Sequence, residues 1–177
     1  MRNDRTFNKS NTNRGIVMKV MSGVAYGTRP VIRVLELIGP VIDLAIRLWV
    51  ASVFWVSGMT KLESWEGTVM LFTYEYNVRL LPPELAIGLA IFVELVFSAL
   101  LALGLGARIA AFVLFVFNLV AVMFYPAQIV AVMFAPEVSE IGVRDHLYWG
   151  LLLLVTLFHG PGKLSLDYLI RRKWMRR

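Results

Sequence analysis

Residues 85–125 read LAIGLAIFVELVFSALLALGLGARIAAFVLFVFNLVAVMFY, and the fold turns on how this stretch is divided. Two apolar runs, Leu85 to Leu103 and Ala107 to Tyr125, are parted only by Gly104–Leu105–Gly106. Each run approaches the roughly 20 apolar residues with which an α-helix crosses a hydrocarbon core about 30 Å thick. The connector is too short to leave the membrane surface, so the spacing predicts a tight helical hairpin. Glu94 falls near the middle of the first run and Asn118 near the middle of the second.

Composition agrees with a membrane chain. Of 177 residues, 58% are hydrophobic and 17% charged, against about 25% charged in a typical soluble domain. The absence of cysteine removes disulfides, thiolate metal sites and iron–sulfur clusters. The net charge of +6 sits at the ends: residues 1–40 hold seven Lys or Arg against Asp4 and Glu36, and Lys163 to Arg177 hold six against Asp167. Positive charge beside membrane spans marks the cytoplasmic side, and this reading is preferred to nucleic-acid binding.

Outward from the hairpin, residues 1–40 read as a basic tail, disordered over residues 1–15, with a short interfacial helix at Val31–Ile38 ended by Gly39–Pro40. A secretory signal over Ile16–Tyr26 is disfavoured because Lys19 interrupts it. Span one runs from about Val41 to Met59, and Arg47, Ala51, Phe54, Gly58 and Lys61 recur at steps of three and four, describing one inward seam. Ser64–Glu84 is an aromatic-rich interfacial connection, with a short surface helix over Thr68–Tyr76 and Pro82–Pro83 opening span two. Ala127–Phe134 is apolar but too short to cross. Span four runs from about His146 to His159, bends at Gly160–Pro161–Gly162 and continues to Ile170; residues 171–177 are a basic tail.

The resulting expectation is an all-α integral membrane protein, with residues 41–170 forming an up-down four-helix bundle and both termini cytoplasmic. Counting about 1.5 Å of rise per residue sorts its polar groups into three levels. Lys61, Asp145 and His146 gather at the outer rim, Glu94 and Asn118 lie near mid-membrane, and Arg47 and His159 lie in the inner part. Arg47, Glu94, Asn118 and His159 are thus the candidate ligand-binding or buried polar cluster, with Arg47 reaching toward Glu94. A cluster of this kind either locks helices together or receives a polar head group. His159, just before Gly-Pro-Gly, also suits a hydrogen bond to a backbone carbonyl freed at a helix bend. Two histidines on one span do not suit haem, the eight methionines show no paired spacing, and phosphate-loop, nucleophile-elbow and zinc signatures are lacking. No catalytic residue and no metal site is assigned.

Several segments together resemble the DoxX family of small four-span bacterial membrane proteins. They are RLWVASVFWVSGMTKL, TVMLFTYEYNVRLLPPELA, ELVFSALLALGLGARIAA, the Tyr125–Pro126 pair and HLYWGLLLLVTLFHGPGKLSLDYLI, in that order from Asp43 to about Ile170. Two positions depart from the family pattern: Arg79, where proline is usual, and Asn118, where a glutamine slightly further on is expected. The family takes its name from the small subunit of a thiosulfate:quinone oxidoreductase. The resemblance implies an inner-membrane protein that serves as a non-redox-centre subunit or accessory of a quinone-linked oxidoreductase. Quinone is then the candidate cofactor, and the lipid bilayer, a protein partner or a second copy the candidate partners. The alternative is a non-catalytic membrane partner in a metal or oxidative stress response or export locus. A small transporter is a weaker third reading, since no inverted repeat is visible.

Overall fold

The computed structural model describes residues 4–75, 81–123 and 141–175. It divides into two compact units, Met1–Gly39 and Pro40–Arg177. Among the described residues every regular element is helical.

Helix α1 spans Asp4–Glu63. This corrects the expected disordered tail and the expected stop at Gly39–Pro40. Pro40 removes one backbone donor from the helical ladder, and the residues on both sides remain helical. Helix α2, Trp65–Met70, runs on into a π-helical turn at Leu71–Glu75, in the place expected for a surface helix. Thr68 steadies its start by donating from Oγ1 to the Ser64 carbonyl at 2.8 Å.

Helix α3 spans Pro83–Leu103. It begins where proline is favoured, at the first helical position, because the missing N–H would have no partner there. A π-helical turn, Val93–Phe97, interrupts it midway. It stops at Gly104, whose φ of 68° places it in the left-handed region that suits glycine. Gly104 N–H donates to the Leu101 carbonyl at 3.1 Å and Leu105 N–H to the Leu100 carbonyl at 3.0 Å. That pair of bonds is a Schellman stop and satisfies carbonyls the helix end leaves open.

Helix α4, Ala107–Met123, follows at once, completing the expected hairpin. Helix α5 spans Ile141–His159. The chain then stops rather than bends: Gly160 and Gly162 take φ of 94° and 72°. A separate helix α6, Leu166–Trp174, starts at Ser165, whose hydroxyl accepts from Tyr168 N–H at 3.2 Å. Both the expected interfacial stretch Ala127–Phe134 and Arg79 lie outside the described residues.

The core draws on four helices. Val50, Ala51 and Phe54 of α1 meet Leu101 of α3, Ala110, Ala111 and Leu114 of α4, and Leu153 of α5. Alanines and glycines let the backbones approach closely, since packing of small residues drives helix association in lipid. At Gly58 an added Cβ would lie 2.9 Å from Leu95 Cδ2, which makes it a point of close approach between α1 and α3.

The distribution of polarity is the reverse of a water-soluble domain. Arg47, Glu94, Ser98 and Asn118 are buried, while Trp49, Phe112 and Phe158 are 57%, 53% and 77% exposed. Such a broad apolar exterior calls for lipid contact. Ile32–Glu63 and Pro83–Leu103 are long and apolar enough to cross a membrane. Helix α4 is apolar over 17 residues.

Candidate functional site

The π turn of α3 carries Glu94. Single π turns in helices recur at functional sites, because the wider turn re-aims side chains. Here Glu94 meets the last turn of α1. Lys61 Nζ donates to Glu94 Oε1 and Oε2, both at 2.8 Å, and to Ser57 Oγ at 2.7 Å. Ser57 Oγ donates in turn to Glu94 Oε1 at 3.0 Å. Three residues thus close a ring of charge-assisted hydrogen bonds, with the Glu94 side chain 4% exposed and that of Lys61 19%.

A second polar pair joins α4 to α5. Asn118 Nδ2 donates to the His146 carbonyl at 2.9 Å, and Asn118 Oδ1 lies 2.7 Å from His146 Nδ1. With the amide nitrogen committed to the carbonyl, Oδ1 accepts, so the proton sits on Nδ1. In the neutral ring Nε2 is then a bare acceptor. The Trp149 ring packs edge-on to His146 at 4.8 Å and to Phe54 at 6.3 Å.

Both polar groups open on one cavity of about 530 Å³ between the helices. Lys61, Ser57, Glu94 and His146 form its polar wall, and residues such as Phe54, Phe72, Leu89 and Trp149 its apolar walls. This is the composition of a small-molecule site: mostly apolar, with a few polar groups fixing orientation. Among the described residues, none group as His and carboxylate ligands for a metal ion.

The expected cluster divides differently in space. Glu94 is buried as expected, but its partner is Lys61 rather than Arg47, although residue spacing alone places Lys61 at the outer rim. Arg47 does not pair with Glu94. Its guanidinium donates to the carbonyls of Leu101 at 3.3 Å, Ala102 at 3.4 Å and Leu164, at the hairpin end of α3. Carbonyls at a helix C-terminus lack intrahelical partners and carry partial negative charge, so a buried arginine is well placed there. Asn118 is buried but is bound to His146 and not to Glu94. His159 is exposed and belongs to neither polar group. Asp145 is half-buried beside His146. The seam Arg47, Ala51, Phe54, Gly58 is buried as the spacing predicts, and Lys61 is half-buried at its end.

Ser57 and Trp149 also belong to the site, beyond the residues that the sequence predicts for it. Ser57 carried a usable signal, standing four residues before Lys61 on the same helix face. Trp149 carried none, since a tryptophan three residues after a histidine is ordinary in a span.

Residues 42–127 match the model of one known family, DoxX. The matched segment includes Arg47, Ser57, Lys61, Glu94 and Asn118 and ends before His146 and Trp149. No curated protein and no solved structure matches the chain.

Proposed function

Since residues 42–127 make this chain a member of the DoxX family, we propose that it is a four-span protein of the bacterial inner membrane that holds a quinone in the α1–α3–α5 cavity. In this reading it is the non-redox-centre membrane subunit, or an accessory, of a quinone-linked oxidoreductase. The basic segments at both ends and Arg108 at the hairpin turn support cytoplasmic termini and a cytoplasmic hairpin. The cavity then lies in the opposite half of the membrane.

The observation that carries the reading is the Lys61–Glu94 pair set into an otherwise apolar cavity beside a fixed imidazole. A quinone has an apolar body and a head group that accepts hydrogen bonds when oxidised and donates them when reduced. Lys61 places a positive charge on the cavity wall, with one of the N–H groups now given to Ser57 or Glu94 to be turned to the head group on binding, and His146 Nε2 supplies an acceptor. Glu94 and Ser57 hold the ammonium in place and balance its charge. When bound, the quinone supplies the two-electron, two-proton chemistry, and a partner protein delivers the electrons.

The test is extraction and mass spectrometry of quinone from the full chain purified in mild detergent. Near-equimolar quinone in the wild type, lost in Lys61→Met/Glu94→Leu at equal folded yield, is the expected result. Absence of quinone from the wild type, with respiration unchanged on deletion, overturns it. That outcome favours the second reading, a non-catalytic membrane partner in a stress-response or export locus. It is supported by the way Lys61, Glu94, Ser57, Asn118 and His146 satisfy one another within the protein.

A further inference from the structure

A second cavity, of about 420 Å³, lies at the hairpin end between the start of α4 and α6. Arg108, Ile109, Pro161, Asp167, Arg171 and Trp174 line it. Asp167, Ile170, Arg171 and Trp174 recur at steps of three and four, so one side of α6 faces this groove. Its carboxylate is already engaged: Asp167 Oδ1 accepts from Gly106 N–H at 2.8 Å and Oδ2 from Ala107 N–H at 3.0 Å. The two guanidinium groups are less committed. Arg108 reaches the Phe158 carbonyl only at 3.4 Å. Arg171 makes no side-chain hydrogen bond or ion pair among the described residues.

The groove is therefore cationic along one edge. Along the other it is apolar and open, with Ile109 68%, Ile170 50% and Trp174 82% exposed. From Ile109 the apolar surface runs on through Phe112 and Val116, both exposed and both on the same face of α4. Tryptophan and arginine side by side at the end of an apolar helix describe a membrane–water boundary.

We propose that the α4–α6 groove binds an anionic phospholipid of the leaflet on the hairpin side. Arg108 and Arg171 hold the phosphate, Trp174 sits at headgroup level, and an acyl chain lies along Ile109, Phe112 and Val116. Charge selects the lipid: the groove offers two guanidinium groups, and its one carboxylate is bound to backbone amides. A zwitterionic headgroup would bring a second cation toward the same arginines.

Native mass spectrometry of the full chain released from detergent micelles tests this, with phosphatidylglycerol, phosphatidylcholine and inorganic phosphate titrated separately. Phosphatidylglycerol is expected to bind at least about tenfold more tightly than phosphatidylcholine, two unit charges at roughly fivefold each being available. Inorganic phosphate at equal concentration is expected not to displace it. Arg108→Gln and Arg171→Gln should each weaken phosphatidylglycerol about fivefold, and the corresponding lysine variants should restore most of it. Arg172→Gln, outside the groove, should change binding by less than about twofold. Equal retention of both lipids, an Arg108→Gln/Arg171→Gln variant that keeps wild-type binding, or displacement by inorganic phosphate would each overturn the proposal. If the glutamine variants fail to fold, the wild-type contrast between the two lipids and the lysine variants decides it.

Discussion

Lys61 Nζ lies 2.8 Å from each carboxylate oxygen of Glu94, tying the last turn of α1 to the π turn of α3. Ser57 completes the contact, donating to Glu94 at 3.0 Å. The pair is the main polar feature of the larger cavity, and it belongs at once to the packing of the helices and to the chemistry offered there.

These two contributions separate by mutation. Removing one partner strands a buried charge, which costs about 3–5 kcal/mol in a dry interior. Lys61→Met strands Glu94, whose side chain is 4% exposed, and should fall within that range; Glu94→Gln strands Lys61, which keeps 19% exposure, and should cost less. Replacing both residues with apolar ones of similar volume is often close to neutral. Lys61→Met/Glu94→Leu should therefore recover most of the stability lost in Lys61→Met. Denaturant unfolding in detergent measures this, and a double variant less stable than both singles would contradict it.

Arg47 closes the other end of the same helices. It joins the last carbonyls of α3 to Leu164, beyond the Gly-Pro-Gly turn. Hydrogen bonds from charged donors are worth about 1.5–3 kcal/mol each, and buried acceptors left unpaired add a further penalty. Arg47→Ala should cost about 3 kcal/mol or more. Arg47→Lys should recover only part of this, because an ammonium lacks the planar fork that reaches several carbonyls. Hydrogen exchange should quicken first at the amides of Gly104, Leu105 and Asp167, which bond to the Leu101, Leu100 and Gly104 carbonyls of this knot. Uniform exchange across the whole chain would show that the knot has no local role.

Two glycines of similar appearance in the sequence should respond in opposite ways. Gly58 faces Leu95 and the Cβ of Glu94, the latter 3.1 Å from an added Cβ. Gly88 meets nothing within 4 Å and is exposed. Gly58→Leu should push α1 from α3 and cost more than the roughly 1–3 kcal/mol of an ordinary overpacked core position. Gly88→Ala should be neutral or stabilising by up to about 1 kcal/mol, through reduced freedom of the unfolded chain. Thermal unfolding of the two variants side by side gives the comparison; a destabilised Gly88→Ala would mean that another chain covers that face.

Much of this protein was legible from residue order. The lengths of the apolar runs and the Gly-Leu-Gly knot determined the α3–α4 hairpin, since nothing else accommodates two such runs with so short a connector. Spacing of three and four determined the inward face of α1 from Arg47 to Lys61, because helical periodicity is local and survives whatever the neighbours are. The double proline marked the start of α3 for an equally local reason, the absence of a backbone donor.

Only the tertiary structure decided which polar groups meet. A count of residues gives depth along one helix, but a contact also depends on rotation about each axis and on which neighbour stands opposite. Leu101 lies about 10 Å along the axis from Glu94, and Arg47 is level with Leu101, so the charge that reaches Glu94 comes from Lys61 instead. The π turn at Val93–Phe97 changes the rotation of α3 where Glu94 stands, and no periodicity argument in the sequence announced it. The stop at His159 likewise needed the positive φ of Gly160 and Gly162 and the Ser165 cap. These put Asp167 against the start of α4 and left His159 outside both polar groups.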